Sequence, residues 1–181
     1  MLPIVKVPNP ILTKPSKAVE KIDNKVLQFI EQMKETLTTA ANPKGVGLAS
    51  PQVGKNFRIF LTKPAPKSLI TVFINPSILE TSNEKTEGVP ERANKYEGCL
   101  SIPNIWGIVH RHQTARVSYQ DEEGKTHTKT FKGFLATIIQ HEMDHINGIL
   151  FTQRVLEQKN KLFKITGKDK EGNDVFEEIE I

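Results

Sequence analysis

The pentapeptide His141-Glu142-Met143-Asp144-His145 decides the fold, because its two histidines lie one turn apart on the same face of a helix. In that arrangement both imidazoles can bind one metal ion, and Glu142 lies beside the ion without ligating it. Apolar residues recur at helical spacing around the pentapeptide: Phe134, Leu135, Ile138, Ile139 and Ile146. Gly133 and Gly148 bracket the run, and Gly148 lies where a left-handed residue ends a helix. The stretch therefore predicts a metal-binding helix between the two glycines.

The composition is typical of one globular domain. The chain has 181 residues, of which 37% are hydrophobic and 25% charged, and no apolar run is long enough to span a bilayer. Its first six residues lack the layout of a signal or transit peptide, so we expect a cytoplasmic protein without a membrane partner. The net charge of +4 comes with scattered lysines, which favours a solvated surface. We expect a single catalytic domain over residues 1–181.

The remaining pattern predicts an α+β fold. A helix capped by Asp23 or Asn24 should run to about Ala40 and end at Asn42-Pro43, with a broad apolar stripe facing the core. Short strands are expected at residues 57–61, 69–74, 108–110, 115–120 and 126–131. A short helix is expected at 155–163 and a final strand at 175–181, although the pattern leaves the tail from 155 onward open. Antiparallel β-sheets packed around a central HExxH-bearing helix, with a second N-terminal helix, would combine these elements.

A metal site on this helix needs a third ligand. The extended pattern HExxHxxGxxH fails at its last position, which is Phe151 here. Glu157 or Glu171 could ligate from downstream, but no pattern places either of them near the site. Cys99 is the only cysteine, and it lies in the segment Glu97-Gly98-Cys99-Leu100-Ser101. A lone cysteine is often only a buried apolar residue, yet a thiolate binds divalent metals strongly, so we favour a Cys/His/His set with an open position for water.

A glycine-containing segment, Gly45-Val46-Gly47-Leu48-Ala49-Ser50-Pro51-Gln52, precedes both motifs. It is a poor phosphate loop because the third glycine of the dinucleotide pattern is missing, and an extended segment that another backbone can approach fits better. In their order and spacing, the segments 45–52, 97–101 and 140–145 resemble the peptide deformylase family. The resemblance extends to about Arg154, with two departures. Ser50 replaces a usual second alanine, which should not affect activity, and Trp106 at the rim puts contacts to later substrate residues in doubt.

The resemblance implies a metal-dependent hydrolase that removes the N-terminal formyl group from formyl-methionyl nascent polypeptides and releases formate. It implies that Cys99, His141 and His145 bind one divalent ion, which activates a water molecule. Fe²⁺ is the expected physiological ion, and Zn²⁺ or Ni²⁺ can occupy the site in purified protein.

The resemblance also assigns roles to three residues around the ion. Glu142 is expected to take the proton of the water and pass it to the leaving amine. The Leu100 backbone N–H and the Gln52 side chain are expected to stabilise the charge that develops on the formyl oxygen. An ordinary structural amide is the alternative role for Gln52.

The substrate is expected to bind as an added strand along Gly45, Val46 and Gly47, since main-chain hydrogen bonds are indifferent to the side chains of the peptide. The methionine pocket should lie on the helix face that leads to His141, and Glu97 and Gly98 should close its rim. That face carries Phe134, Thr137 and Ile138, of which Phe134 and Ile138 could equally be plain core residues.

Two other functions remain open from the residues: an HExxH zinc protease of another lineage, and a metal-stabilised binding module without turnover. The resemblance suggests formyl-methionyl nascent peptides as partners of a monomer, and a ribosome contact through Lys159, Lys161 and Lys164. A solvated surface would explain these lysines as well.

Overall fold

The computed structural model describes residues 1–40, 44–87 and 95–180. Its helices in these ranges are α1 (Asn24–Thr39), α2 (Gly133–Ile146) and α3 (Phe151–Glu157), with short 3-10 turns at Pro10–Thr13 and Ser50–Val53. Its strands are β1 (Gly47–Ala49), β2 (Ile59–Thr62), β3 (Thr71–Thr81), β4 (Lys85–Thr86), β5 (Glu97–Cys99), β6 (Ile102–Gly107), β7 (Arg111–His112), β8 (Thr114–Gln120), β9 (Thr126–Lys132), β10 (Leu162–Lys168) and β11 (Asp174–Ile179). None of the helices in these ranges has the length and apolar character needed to cross a membrane.

The strands form three antiparallel sheets. The largest has five strands in the order β1-β2-β3-β8-β9, a second has the order β11-β10-β6-β5, and β4 pairs with β7. Strand β1 is therefore an edge of the first sheet and β5 an edge of the second. The predicted α+β class with antiparallel sheets is confirmed.

Helix α1 begins as predicted. The Asp23 carboxylate accepts hydrogen bonds from the backbone N–H groups of Lys25 and Val26, both at 3.0 Å, and so satisfies two donors at the start of the helix. Its apolar face packs on β1 and β2 in a cluster that includes Phe29, Ile30, Met33, Leu37, Leu48, Ile59 and Leu61. The predicted end of this helix at residues 42 and 43 lies outside the described residues.

Helix α2 carries the HExxH pentapeptide, and its residues from Ala136 to Ile146 are all buried. Its apolar side packs on Phe60 and Phe73 of the five-stranded sheet. The helix ends before Gly148, whose φ of +75° is left-handed. A Cβ there would also lie 2.8 Å from backbone atoms of Thr13, so both the conformation and the space require glycine.

Two sequence predictions were wrong. Residues 108–110 are not a strand, because the strand of that region is β6, which ends at Gly107. The helix predicted at 155–163 is α3, which lies earlier because Phe151 and Val155 are both buried, one turn apart on the same face. Leu162, placed in that helix by its sequence, instead begins β10, where it pairs with Gly107 and contributes to the core. The final strand predicted at 175–181 is present as β11, which ends at Ile179, and residue 181 lies outside the described residues.

Candidate metal centre and active site

The side chains of Cys99, His141 and His145 meet in the interior, where β5 ends beside α2. Their ligand atoms all lie within 4.8 Å of one another, and Cys99 Sγ is 3.1 Å from His145 Nε2. The three residues are 4%, 9% and 1% exposed. One sulfur and two imidazole nitrogens form a donor set that suits a divalent transition metal, so the residues fit such an ion.

The two glutamates that sequence reasoning kept as alternative ligands lie elsewhere. Glu157 forms an ion pair with Arg154 at 3.0 Å, and Glu171 is exposed in the turn between β10 and β11. Neither residue belongs to the buried cluster.

A chain of buried charges holds the His141 ring. Its Nδ1 lies 2.6 Å from Glu97 Oε1, and the Glu97 carboxylate accepts two hydrogen bonds from Arg111, at 2.7 and 3.2 Å. Arg111 also donates to Asp144 at 2.6 Å, and Asp144 accepts a further bond from Arg154 at 2.8 Å. Because Glu97 occupies Nδ1, the ring presents Nε2 to the cluster, the arrangement that orients histidine ligands in metal sites.

The same charges set the protonation of the site. Burial alone raises the pKa of Glu97, but Arg111 and His141 outweigh burial and hold that pKa at about 2. Burial lowers the pKa of His141, but the Glu97 carboxylate outweighs it and raises that pKa well above its usual value. For His145, burial and the nearby His141 together hold the pKa well below its usual value, which keeps the imidazole in its neutral, ligating form.

Glu142 lies against β1 and is 3% exposed. Burial raises its pKa to about 7, and its Oε2 has no hydrogen-bond partner among the described residues. A Cβ added at Gly47 would fall 2.8 Å from Glu142 Cδ and closer still to Oε1, so only glycine leaves room for this carboxylate. A buried carboxyl with a pKa near neutrality suits a general base.

Gln52 lies in the turn after β1 and reaches Cys99. Its Oε1 accepts a hydrogen bond from the Ala49 N–H at 2.8 Å, and its Nε2 lies 3.4 Å from Cys99 Sγ and 3.3 Å from Ser101 Oγ. Leu100 follows Cys99 directly, in the turn between β5 and β6. The amide of Gln52 and the backbone of Leu100 are thus both next to the sulfur.

Comparison with known proteins gives a family for this arrangement. The model of the polypeptide deformylase family matches residues 1–161. The chain belongs to the polypeptide deformylase family. A peptide deformylase from Borreliella burgdorferi is 41% identical over 158 residues, which cover 87% of this chain and 90% of that protein. The peptide deformylase of Thermotoga maritima has a solved structure that is 36% identical and matches with a TM-score of 0.76, over 85% of this chain and 97% of that one. A cyanobacterial deformylase structure, from Synechococcus elongatus in complex with actinonin, matches at 38% identity with a TM-score of 0.75, over 84% of this chain and 78% of that one.

The three deformylase-like segments line one cleft in front of the buried cluster. Of the residues singled out from the sequence, those that line it are Gly45, Val46, Gly47, Gln52, Glu97, Gly98, Cys99, Leu100, Trp106, Phe134, Thr137, Ile138, His141 and Glu142. The structure therefore brings these residues together, and His145 lies behind them in the cluster. Ser50, the departure from the deformylase motif, is buried and donates a hydrogen bond to the Lys55 carbonyl at 2.7 Å.

Several residues of this deformylase cleft and its surroundings were missed by sequence reasoning. Lys44 and Tyr96 line the cleft, Arg111 pairs with Glu97, and Asp144 in turn pairs with Arg111. The one available signal was Asp144, because a carboxylate on a helix that packs into the core needs a polar or charged partner there. Nothing in the sequence around Arg111 indicates that it is that partner.

Proposed function

We propose that this chain is a metal-dependent hydrolase that removes the N-terminal formyl group from formyl-methionyl nascent polypeptides and releases formate. The observation that carries the proposal is the buried Cys99–His141–His145 cluster with Glu142 beside it, in a chain of the deformylase family. Hydrolysis of a formyl amide needs an activated water, a base, and donors for the amide oxygen. The cleft offers a candidate for each.

In this proposal Cys99, His141 and His145 hold one divalent metal ion. When bound, such an ion would act as a Lewis acid and would lower the pKa of a water molecule held beside these residues. Fe²⁺ is the physiological ion that the family resemblance implies. Zn²⁺ or Ni²⁺ can replace it in purified protein, because a sulfur and imidazole donor set accepts several divalent metals. The neutral form of His145 and the fixed orientation of His141 support this assignment.

Glu142 is the proposed general base. It accepts a proton from the attacking water and delivers it to the amine nitrogen as the bond between that nitrogen and the formyl carbon breaks. The oxygen of the water ends in formate, and the peptide leaves with a free amino terminus. Its burial, its pKa of about 7 and its uncommitted Oε2 support this role.

Gln52 and Leu100 are the proposed donors to the formyl oxygen. The Gln52 Nε2 lies 3.4 Å from Cys99 Sγ, so it faces the position where the reacting group would lie. Since charge grows on this oxygen during the attack, each donor is worth about 3 kcal/mol in the transition state.

The peptide is proposed to lie between two sheet edges. Strands β1 and β5 are both edges, and the cleft between them is lined by Gly47 and Gly98. An edge strand can pair with an added peptide strand, here along Gly45, Val46 and Gly47. The methionine side chain would enter between Phe134, Thr137 and Ile138, with Glu97 and Gly98 at the rim.

We further propose that residues 1–181 form a single catalytic domain organised around α2, which acts as a monomer in the cytoplasm. The burial of α2 from Ala136 to Ile146 supports its central place. A ribosome contact through Lys159, Lys161 and Lys164 is also proposed. All three are exposed, but Lys161 and Lys164 lie 2.7 and 3.4 Å from Glu178 and Glu177, so we expect a weak, salt-sensitive contact.

Formate release from a formyl-Met peptide tests the activity. We expect equal amounts of formate and free amine from the wild-type chain, and a loss of both in Glu142→Gln. Cleavage of unformylated peptides would favour a protease instead, and metal binding without any turnover would favour a binding module.

A further inference from the structure

The C-terminal hairpin lies beyond the family match, which ends at residue 161, yet it extends the sheet that carries Cys99. Strand β10 pairs with β6, so that Leu162 faces Gly107 and Phe163 faces Trp106. Strand β6 in turn pairs with β5, where Gly98 faces Trp106. The hairpin is therefore continuous with one wall of the cleft.

The two faces of this sheet differ. One face packs on α3 through a cluster that includes Ile102, Val155 and Leu162. The other carries four aromatic rings, which we call the aromatic wall: Tyr96, Trp106, Phe163 and Phe176. The Phe176 ring centroid lies 4.5 Å from that of Tyr96 and 6.1 Å from that of Trp106, and it meets Trp106 edge to face at 86°. Tyr96 also packs on Phe163 at 4.9 Å.

Packing alone holds the Trp106 ring. The ring lies directly on Gly98, because a Cβ there would be only 2.8 Å from its Cε3 and Cζ3 atoms. Its buried Nε1 has no hydrogen-bond partner among the described residues, so no polar contact fixes its orientation. The Phe176 ring packs against the Trp106 ring in an edge-to-face contact. Trp106 and Tyr96 line the cleft, and the hairpin phenylalanines support them from behind.

We propose that the C-terminal hairpin is a specificity element, in which Phe176 is a positioning residue that holds Trp106 and Tyr96 so that the cleft mouth favours apolar side chains at the two residues after methionine. This inference rests on the proposed function. An extended peptide advances about 3.3 Å per residue, so these two residues extend about 7 Å past methionine along the cleft. Aromatic rings offer apolar side chains a contact surface with little loss of conformational freedom.

The test compares kcat/KM for formyl-Met-Leu-Leu and formyl-Met-Ser-Ser peptides. The wild-type chain should prefer the leucine peptide. Phe176→Ala should reduce that preference about three- to tenfold, chiefly through a higher KM for the leucine peptide, because it removes one edge-to-face partner. Phe176→Tyr, which keeps an aromatic ring, should retain the wild-type preference for the leucine peptide. Val175→Ala is the matched control, since Val175 is the neighbouring position on β11 and is 41% exposed.

A second readout is independent of turnover. Trp106 is the only tryptophan of the chain, so its selectively excited emission reports on the aromatic wall. Phe176→Ala should shift the emission to longer wavelength and increase acrylamide quenching, whereas Val175→Ala should not. Phe176→Leu, which keeps an apolar side chain but no ring, serves if the alanine variant fails to fold.

The outcomes separate the two proposals. If the wild-type chain releases formate but the preference is the same in wild type, Phe176→Ala and Phe176→Leu, the hairpin inference is wrong and the proposed function stands. A preference for acidic peptides would also overturn it, because Lys44 rather than the aromatic wall would then select the substrate. If neither peptide yields formate, both proposals fail.

Discussion

Replacing Gly47 with alanine places a methyl group against the carboxylate of Glu142. The added Cβ would lie 2.8 Å from Glu142 Cδ and 2.9 Å from Ile138 Cγ2. Restoring an ordinary contact of 3.4 Å means that Cδ moves by at least about 0.6 Å, and Oε1, which is closer, by more. Both neighbours are on α2, which is buried and has little freedom to shift as a whole. The side chain of Glu142 therefore has to turn away.

The expected loss follows from that displacement. Misplacing a catalytic group by about 1 Å can cost about 100-fold, so we expect kcat/KM for formate release to fall about 100-fold, or about 2.7 kcal/mol. Overpacking of the buried strand should also lower the free energy of unfolding, by about 1–3 kcal/mol. Formate release and urea unfolding, measured on the same preparations, give the two numbers.

Two further variants test whether the displacement of Glu142 causes the loss of activity. Gly167→Ala is the matched control, because a Cβ at Gly167 would meet nothing within 4 Å, and it should leave kcat/KM unchanged. In a Glu142→Asp background the shorter carboxylate is withdrawn from β1, so adding Gly47→Ala should cost much less than it does in the wild type. If Gly47→Ala keeps kcat/KM within about twofold of wild type, Glu142 does not work from the position described here.

Arg111→Met should lower the free energy of unfolding by about 3–5 kcal/mol at pH 7, because it leaves the buried Glu97 and Asp144 carboxylates without their cation, and urea unfolding measures this. In the wild type the Glu97 pKa of about 2 lies below its unfolded value of 4.5, so the stability that Glu97 contributes is complete above pH 4.5 and declines as the pH falls toward 2. The deficit of Arg111→Met should therefore shrink as the pH is lowered below 4.5, and a deficit that grows on acidification would refute this. Gln52→Leu should reduce kcat about 100- to 1000-fold with KM little changed, and a purely structural Gln52 would instead show as lost stability with kcat retained. Replacing Lys159, Lys161 and Lys164 together by alanine should weaken ribosome cosedimentation and reduce its salt dependence, and unchanged cosedimentation would exclude these lysines.

The sequence alone was sufficient to predict those elements whose apolar periodicity or capping chemistry is local. The apolar spacing from Phe134 to Ile146 predicts α2 because each turn of a buried helix needs an apolar side chain on the same face. The cap at Asp23 was equally local. The C-terminal region could not be predicted in the same way, because Leu162 joins a strand through its pairing with Gly107 on one side and Ile179 on the other, both distant in sequence. No local pattern reports such a partner.

In the candidate site, too, features that are local in sequence could be predicted and those that depend on distant residues could not. Cys99 was a candidate ligand because the two histidines of HExxH need a third donor and a thiolate binds divalent metals strongly, and its sulfur does lie 3.1 Å from His145 Nε2. Arg111 was missed because its role depends on two carboxylates that come from different parts of the chain. The aromatic wall was also missed, because Phe176 meets Trp106 only after the hairpin has joined the sheet.

X-ray absorption at the metal edge, on anaerobically purified protein with one bound metal ion per chain, shows directly whether Cys99, His141 and His145 bind the ion. For the zinc-loaded protein we expect one sulfur at about 2.3 Å and two imidazole nitrogens at about 2.0–2.1 Å, with an oxygen ligand completing the shell. The sulfur should disappear in Cys99→Ser while the nitrogens remain. A metal shell in the wild-type protein that contains no sulfur would show that Cys99 is not a ligand.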